Sequence, residues 1–335
     1  MSNDSANTKN SIAYMQGKFM PLAEANVNIM THAFMYGTAV FEGIRGYWNA
    51  EREQMYLFRL REHYERMIDS MKIMHLQTEL SVDELCQVTV ELLRQNKPTG
   101  DMYVRPSAYK CGQRVGPGLD QNPTDICIFT VPFGNYFKAQ EGLKVMVSSW
   151  RRIEDNAIPA RAKIVGAYVN TALAKTDAAL AGYDDCIMLS ENGHVSEGSA
   201  MNIFMVKNGQ LITTSTSENI LEGITRGTII EIAEQELGLK TLCRSIDRSE
   251  LYTADEIFFT GTGAQIAPCI EVDRRVIGSG HAGPLSLRIQ DVYLDICRGV
   301  NQKYSQWLTP VFPEKQDEAS AQSTPKHALG AAFNN

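Results

Sequence analysis

The segment Ile158-Pro-Ala-Arg-Ala-Lys-Ile-Val-Gly-Ala-Tyr168 contains a lysine, Lys163, whose neighbours in the sequence are mostly small or apolar. Other lysines lie beside turn residues or charges, as in Lys207-Asn-Gly. We therefore expect Lys163 to be buried. Because burial disfavours an ammonium ion, such a lysine loses its proton more easily and can form a Schiff base with a carbonyl group. The alternative is a lysine at the edge of a core that extends its charge to solvent.

The length and composition are typical of an ordinary globular protein. The chain has 335 residues, of which 44% are apolar and 21% are charged, and its formal net charge is -7. This length favours two domains. The negative net charge gives no electrostatic reason to expect nucleic acid as a partner, so small-molecule chemistry is the default expectation.

The seven cysteines form no C-x-x-C pair and do not cluster with the histidines. We expect reduced, mostly structural thiols in a reducing compartment and no zinc site. The sequence contains no apolar run of about eighteen residues, and its N-terminus has no apolar stretch of signal-peptide type. These features predict a cytoplasmic protein without a membrane partner.

Composition and turn signals divide the chain into two domains, a linker and two tails. Polar and small residues at 1–10 and 311–335 predict disordered ends. The stretch Pro132-Phe-Gly-Asn-Tyr-Phe-Lys-Ala-Gln-Glu-Gly142 is the best linker candidate. We therefore predict a small domain at 11–132, a linker at 133–142 and a larger domain at 143–310.

Hydrophobic periodicity predicts both strands and helices in the first half. Apolar residues recur every three or four positions from Leu60 to Met74 and predict a helix. Ser81 and Glu84 form a capping box that opens a second helix. Short runs rich in β-forming residues predict strands at 13–21 (around a Gln16-Gly17 turn), 27–30, 55–59, 101–111 and 125–131. Alternation in the fourth run places Tyr103, Arg105 and Tyr109 on one face.

The second half also mixes the two kinds of element. Strands are predicted at 143–150, 185–190, 200–206 and 210–213, and near Thr241, Glu256 and Ile270. Helices are predicted at 166–181, 225–237, 249–253 and 284–307. The order lacks the regular βαβ alternation of a doubly wound fold, so the sequence predicts an α+β protein with sheets of antiparallel type.

Two short stretches have the character of anion-binding sites. Gly223-Ile-Thr-Arg226 precedes a predicted helix, whose free amides and dipole favour a phosphate. Gly261-Thr-Gly263 follows a predicted strand and offers a hydroxyl and close backbone amides. Taken singly, Thr225 can be an ordinary N-cap and the glycines ordinary turn residues. The chain has no P-loop and no strand-linked G-x-G-x-x-G motif, so a nucleotide is not the evident ligand.

Glu197 lies in Val195-Ser-Glu-Gly-Ser199 between two predicted strands, without a basic neighbour in the sequence. One interpretation is a solvated carboxylate in a turn. The other is a partner for the protonated ring nitrogen of a cofactor that accepts carbanion charge.

Together these motifs resemble the class IV aminotransferases, which are fold-type IV pyridoxal-phosphate enzymes, and within them the branched-chain amino acid aminotransferases. The resemblance runs from about Gly17 to Trp307. It rests on seven motifs in a fixed order: Thr31-His-Ala-Phe-Met-Tyr-Gly-Thr-Ala-Val-Phe-Glu-Gly-Ile-Arg45, Phe58-Arg-Leu-Arg-Glu-His63, Tyr103-Val-Arg-Pro106, the Lys163 segment, Ser196-Glu-Gly-Ser-Ala-Met-Asn-Ile-Phe204, Gly223-Ile-Thr-Arg226 and Gly261-Thr262. It implies two α+β domains with pyridoxal 5′-phosphate in the cleft between them.

The resemblance also implies roles for the cofactor site. Lys163 would bind the cofactor covalently and later move the substrate proton. Glu197 would pair with the pyridine nitrogen, and Tyr168 would hydrogen-bond the phenolate oxygen. The phosphate would be held by Arg59, Thr262 and the backbone amides of Ile224 and Thr225.

On the substrate side the resemblance implies an apolar pocket with one arginine on its wall. The residues involved would be Tyr36, Phe41, Tyr103, Arg105 and, from the linker, Tyr136. Arg105 would receive the γ-carboxylate of glutamate. The backbone amides around Thr262 and Gly263 would hold the α-carboxylate of every substrate.

Two features depart from the family pattern. Met201 precedes Asn202, where the family more often has an acidic residue. The loop Cys111-Gly-Gln-Arg-Val-Gly-Pro-Gly118 differs from the Val-Gly-Met-Gly type expected of close members. It places Arg114 in a loop that in the family reaches the partner subunit's active site, so Arg114 is a further candidate for substrate binding.

The sequence thus predicts transamination between branched-chain L-amino acids and 2-oxoglutarate by a homodimer or larger homo-oligomer. The enzymatic alternatives are a D-amino acid or (R)-amine transaminase, or an aminodeoxychorismate lyase, on the same fold. A non-catalytic binding protein is the alternative from another class. Retention of Lys163 together with Glu197 and Arg59 argues against that last alternative.

Overall fold

The computed structural model of the chain describes residues 11–134 and 142–313. Among these residues, seven strands lie in the first half: β1 (Ile12–Met15), β2 (Lys18–Pro21), β3 (Ala39–Phe41), β4 (Ile44–Asn49), β5 (Gln54–Phe58), β6 (Met102–Lys110) and β7 (Thr124–Pro132). The helices there are α1 (His32–Tyr36), α2 (Leu60–Ile73) and α3 (Val82–Asn96), with a 3-10 turn at Leu22–Glu24.

The second half contains the remaining strands: β8 (Leu143–Val147), β9 (Asp185–Leu189), β10 (Val195–Gly198), β11 (Asn202–Lys207), β12 (Gln210–Thr214), β13 (Leu242–Arg244), β14 (Glu256–Gly261), β15 (Gln265–Val272), β16 (Arg275–Val276) and β17 (Leu308–Pro310). Its helices are α4 (Tyr168–Leu180), α5 (Ile224–Leu237), α6 (Arg248–Leu251) and α7 (Pro284–Cys297), with 3-10 turns at Thr216–Glu218 and Gln302–Trp307.

The strands of the described residues form two sheets. The first has eight strands in the order β17-β5-β4-β6-β7-β1-β2, with β3 paired to β6, and all its pairs are antiparallel. The second has nine strands in the order β10-β9-β8-β15-β14-β11-β12-β13, with β16 paired to β15. It is mixed, because β8 runs parallel to both β9 and β15. The predicted α+β class with mixed and antiparallel sheets is confirmed.

Local signals in the first half predicted several elements well. Gln16 and Gly17 have φ of 53° and 74°, as a two-residue hairpin turn between β1 and β2 requires. Ser81 and Glu84 make both hydrogen bonds of the predicted capping box at the start of α3. The strand predicted at 27–30 is wrong, because those residues form a loop that ends in a turn.

Two predictions in the second half also need correction. Glu197 lies in a strand, β10, rather than in a turn between strands. The helix predicted at 284–307 ends at Cys297, where the chain turns at Gly299 (φ 70°) before the 3-10 segment Gln302–Trp307. Glycine accepts this left-handed conformation without strain, so it ends the helix although the apolar pattern continues.

The chain returns to the first sheet near its end. Residues 308–310, which we assigned to the larger domain, form strand β17 and pair with β5. Val311 is fully buried and its N–H donates to the carbonyl of Met55 at 2.9 Å, so the predicted disordered tail does not begin at 311. The rest of that tail, residues 1–10 and most of the linker at 133–142 lie outside the described residues. The other domain boundaries remain a prediction.

The segment around Lys163 joins the first sheet although it follows the linker. Ala162, Ile164 and Ala167 pack into the core that β4 to β7 form with α2 and α3. Ile164 forms a β-bridge with Val40 of β3. The two halves therefore share a boundary at which the Lys163 segment lies. Within the described ranges, no helix is long and apolar enough to cross a bilayer.

Candidate active site

A cavity of about 290 Å³ lies between the two sheets. Both halves of the chain contribute to its wall. Most of the predicted site residues line it: Phe41, Tyr103, Arg105, Lys163, Tyr168, Glu197, Ile224, Thr225, Thr262 and Gly263. The cavity therefore combines an amine, phenols, a carboxylate, a guanidinium and a helix N-terminus.

Backbone hydrogen bonds on both sides of Lys163 fix its place. Its carbonyl accepts from the N–H of Phe41 at 3.0 Å, and its N–H donates to Oγ of the buried Ser70 on α2 at 3.2 Å. The side chain reaches into the cavity, where Nζ donates to the Tyr168 hydroxyl at 2.9 Å. The sequence predicted a buried lysine, whereas Lys163 is half-buried. Its amine lines the cavity.

Two glycines let the Lys163 segment approach β3. Gly37 has a φ of 68°, and a Cβ placed on it would lie 2.9 Å from the Cα of Gly166. At this contact Gly166 donates to the Gly37 carbonyl at 3.2 Å, and Val165 donates to that of Ala39 at 2.8 Å. Any larger residue at Gly37 would push the Lys163 segment away from the first sheet.

Tyr168 is the first residue of α4 and bounds the cavity beside Lys163. Its ring makes an edge contact with Phe41, with the centroids 4.9 Å apart. The amine of Lys163 lies 5.0 Å from the centroid of the Phe41 ring. The Lys163 amine thus has a polar partner and an aromatic wall.

Glu197 is buried and accepts hydrogen bonds from three donors of the described chain. Arg152 Nε donates to Oε1 at 2.8 Å, while Asn202 Nδ2 and the Leu221 N–H donate to Oε2 at 3.0 and 3.3 Å. Burial raises the pKa of Glu197, and the Arg152 guanidinium opposes that rise. Sequence reasoning missed Arg152, which lines the cavity. No spacing signal links it to Glu197, because the two lie far apart in the chain.

The start of α5 lines the cavity with Gly223, Ile224 and Thr225. Its N-cap, Gly223, supplies no side-chain hydrogen bond, so the first amides of this 14-residue helix are free to bind another group. A Cβ on Gly223 would lie 2.0 Å from Oδ1 of Asn202, so a side chain here would displace the amide that donates to Glu197. Oγ1 of the fully buried Thr260, which also lines the cavity, has no hydrogen-bond partner among the described residues.

Arg59 does not line this cavity, contrary to the prediction. It precedes α2 with φ 48°, and its guanidinium lies 3.9 Å from the centroid of the Trp307 ring. It forms ion pairs with Glu231 at 3.0 Å and Glu62 at 3.6 Å. The arginine of this region that does line the cavity is Arg66, further along α2. The sequence motif located the helix correctly but did not identify which arginine faces the cavity.

One wall of the cavity is built around Arg105. Its Nε and Nη2 donate to the Tyr103 hydroxyl at 3.1 and 2.8 Å, and its guanidinium lies 4.3 Å from the centroid of the Phe41 ring. A Cβ on Gly43 would lie 2.4 Å from the Tyr103 hydroxyl, so the glycine leaves room for it. Arg105 is therefore a fixed cation on a largely aromatic wall.

Two other predicted substrate residues, Tyr36 and Arg114, do not line the cavity. The Tyr36 hydroxyl accepts from the Gly116 N–H at 3.0 Å, outside the cavity. Arg114 donates to carbonyls of its own loop, at Gly118 (3.0 Å) and Asp120 (2.7 Å). Tyr136 lies outside the described residues.

Comparison with known proteins agrees with this geometry. The family model for amino-transferase class IV matches residues 39–272. This chain belongs to that family, and the resemblance inferred from its motifs is confirmed. A probable branched-chain-amino-acid aminotransferase of Aquifex aeolicus (strain VF5) is 47% identical over 300 residues, which cover 90% of this chain and 96% of the relative.

Two solved structures are similar in both sequence and fold. The branched-chain aminotransferase of Thermoproteus uzoniensis with norvaline is 42% identical, with a TM-score of 0.86 over 90% of this chain and 99% of its own. The branched-chain amino acid aminotransferase of Thermobaculum terrenum in its PLP-form is 37% identical, with a TM-score of 0.88 over 91% of this chain and 100% of its own.

Proposed function

We propose that this chain is a pyridoxal-phosphate-dependent aminotransferase that exchanges the amino group between branched-chain L-amino acids and 2-oxoglutarate. The observation that carries the proposal is a single cavity in which the Lys163 amine lies 2.9 Å from the Tyr168 hydroxyl and shares its walls with Glu197 and Arg105. Relatives and structural neighbours named for this activity cover about nine tenths of the chain.

The residues present fit pyridoxal phosphate. The free amides at the start of α5, the unpartnered hydroxyl of Thr260 and the guanidinium of Arg66 suit a phosphate group. Glu197, a buried carboxylate, suits a protonated ring nitrogen. When bound, the cofactor supplies an electron sink for the charge left on the substrate Cα.

The protein groups around that cofactor have separable tasks. We assign Lys163 to cofactor attachment and to proton transfer. Its amine lies in the cavity, where a hydrogen bond to the Tyr168 hydroxyl holds it in place. Glu197 would keep the ring nitrogen protonated, with Arg152 and Asn202 fixing the carboxylate. Tyr168 would hydrogen-bond the phenolate oxygen.

Substrate recognition must serve both an apolar side chain and a second carboxylate. Phe41 and Tyr103 provide an aromatic surface for leucine, isoleucine or valine. Arg105 lies on that surface and can receive the γ-carboxylate of glutamate as a charge-assisted pair. The backbone amides around Thr262 and Gly263 remain for the α-carboxylate, which every substrate carries.

We further propose a homodimer. A patch of exposed apolar side chains lies on α1 and the loop beside it, including Ile29 (78% exposed), Phe34 (69%) and Val115 (82%). The loop of Val115 is held to α1 through the bridge between Thr31 and Gln113. Exposed apolar side chains of this size favour burial against a second copy. Analytical ultracentrifugation of the wild type and of Phe34→Asp tests this.

A cytoplasmic location stays a prediction from the cysteine usage.

An amino-donor screen with 2-oxoglutarate tests the activity. L-leucine, L-isoleucine and L-valine should yield glutamate, whereas D-alanine and (R)-1-phenylethylamine should not. Borohydride reduction followed by peptide mapping should find the cofactor on Lys163. Turnover of only D-alanine or the (R)-amine would replace the branched-chain assignment by one of the alternatives on this fold.

A further inference from the structure

Behind the cavity wall, three largely buried side chains form a compact ionic group, which we call the Glu42 cluster: Glu42, His63 and Arg66. Glu42 Oε1 accepts from Arg66 Nε at 2.8 Å. Oε2 accepts from Arg66 Nη2 and from His63 Nδ1, both at 2.8 Å. Glu42 and His63 are almost completely buried, and Arg66 alone of the three lines the cavity.

The first sheet and helix α2 hold the members of the Glu42 cluster in place. Glu42 lies between β3 and β4, and its N–H donates to the Pro106 carbonyl at 2.9 Å. His63 and Arg66 are three residues apart on α2, so their side chains share one face of that helix. The carboxylate is therefore held by the sheet while its two donors are held by the helix.

The charges within the cluster are consistent with this geometry. Burial works to raise the pKa of Glu42, but the Arg66 guanidinium and the His63 hydrogen bond hold it well below its ordinary value. Burial lowers the pKa of His63, so its ring is a neutral donor through Nδ1. The cluster thus contains a buried ion pair with an additional hydrogen bond.

Arg66 has a second contact that directs it toward the phosphate end of the cavity. Its Nη1 donates at 2.9 Å to the carbonyl of Glu222, the residue before the N-cap of α5. A guanidinium carries more N–H donors than these contacts use, which leaves others for an anion. The paired contact with Glu42 fixes the plane of the guanidinium, because a fork-shaped donor meets a two-oxygen acceptor in one geometry.

We propose that Glu42, supported by His63, is a positioning residue that holds Arg66 beside the start of α5, so that the arginine and the helix amides form one preorganised phosphate site. The inference rests on the proposed function, which assigns the cofactor phosphate to Arg66. Glu42 itself does not line the cavity. Its contribution is to remove the need to order a long, flexible side chain when the phosphate binds.

The test compares two forms of the cofactor that differ only in the phosphate. Enzyme stripped of cofactor is titrated with pyridoxal phosphate and with pyridoxal, followed by absorbance, in the wild type, Glu42→Gln, Arg66→Ala and the double variant. Because Glu42→Gln loses the paired contact, it should weaken the binding of pyridoxal phosphate about tenfold to a hundredfold. Pyridoxal affinity should stay within about twofold, and Glu42→Gln should add nothing in the Arg66→Ala background.

Glu42→Asp provides a second variant in which the buried charge is kept, so that folding is better preserved. Its shorter carboxylate cannot reach both Arg66 nitrogens, so it too should lose affinity for pyridoxal phosphate and not for pyridoxal. Equal weakening of both forms, or no change in either, in these variants overturns the inference. If Arg66→Ala itself leaves the difference between the two forms unchanged, the phosphate assignment in the proposed function fails as well. If Arg66→Ala changes the difference in affinity between the two cofactor forms but the Glu42 variants do not, only the positioning role of Glu42 fails.

Discussion

Arg152 and Glu197 lie 45 residues apart in the sequence, yet Arg152 Nε donates to Glu197 Oε1 at 2.8 Å in the wall of the cavity. Both side chains are nearly buried, at 12% and 7% exposed. This pair keeps a carboxylate inside the protein where burial alone would favour its protonated form. It also holds that carboxylate in the wall of the cavity, as the proposed pairing with a cofactor ring nitrogen requires.

Removal of Arg152 should therefore destabilise the fold. Breaking a buried ion pair on one side typically costs about 3 to 5 kcal/mol, and we expect Arg152→Met to lower the free energy of unfolding by this order. Arg151→Met is the matched control, because Arg151 is exposed and its side chain donates to the backbone carbonyls of Ser190 and Glu191; it should cost about 0.5 kcal/mol or less. Urea unfolding of both variants gives the comparison. Equal costs would show that the Arg152 pair is energetically unimportant.

Glu197→Gln should slow chemistry while the fold is retained. A neutral amide cannot keep a ring nitrogen protonated, so the charge developing on the substrate Cα is less stabilised. We expect loss of deuterium from the substrate Cα to slow by about a hundredfold. The control is Glu191→Gln, which alters an exposed glutamate in the turn before β10. Deuterium loss at the wild-type rate in Glu197→Gln would assign Glu197 to a structural role.

Arg66 and Arg59 form a natural pair for testing the phosphate site. Arg66 lines the cavity, whereas Arg59 pairs with Glu231 and packs on Trp307. Loss of a charge-assisted contact costs about 1.5 to 3 kcal/mol, so Arg66→Ala should need about tenfold more pyridoxal phosphate, or above, for half-saturation. Arg59→Ala should leave this concentration within about twofold. The reverse result would restore the assignment made from the sequence motif.

Acid should destabilise the folded chain through the Glu42 cluster. The pKa of His63 is lowered from 6.5 by burial, so below about pH 6.5 the unfolded chain binds a proton that the folded chain excludes. The free energy of unfolding should therefore fall as the pH decreases through this range. Glu42 acts in the same direction at lower pH, because its pKa is held well below 4.5. The amide of His63→Asn can replace the Nδ1 donor without titrating. In urea unfolding, this variant should therefore show a flatter dependence of the free energy of unfolding on pH between about pH 7.5 and about pH 5.5. An unchanged slope would contradict this account.

Local sequence signals predicted the elements whose causes are local. The Gln16-Gly17 hairpin and the capping box at Ser81 follow from backbone conformation and short-range hydrogen bonds. Strands β3, β4 and β17 were missed. Strands β3 and β17 have only three residues each and exist through pairing with a distant strand, β6 or β5. Such pairing leaves little trace in a short sequence window. Strand β4 is buried along most of its length, so its residues lack the alternating pattern of a half-exposed strand.

The same distinction applies to the site. Family motifs gave Lys163, Tyr168 and Glu197, and the structure brings all three to one cavity. The partner of Glu197 was not predictable, because Arg152 reaches it only through the arrangement of the second sheet. The position of Arg59 outside the cavity has a geometric cause: it precedes α2, and of the two arginines only Arg66, about two turns later, faces the cavity.

The measurement that tests the account most directly is a pair of stopped-flow half-reactions, with L-leucine and with L-glutamate, in the wild type and in Arg105→Met. The wild-type holoenzyme should convert both amino acids in the same cavity. Loss of a charge partner costs about 2 to 5 kcal/mol, so Arg105→Met should lower kcat/KM for glutamate by roughly a hundredfold or more, while leucine stays within about tenfold. Equal losses for the two amino acids, or a wild type that does not react with leucine, would contradict the proposed dual recognition.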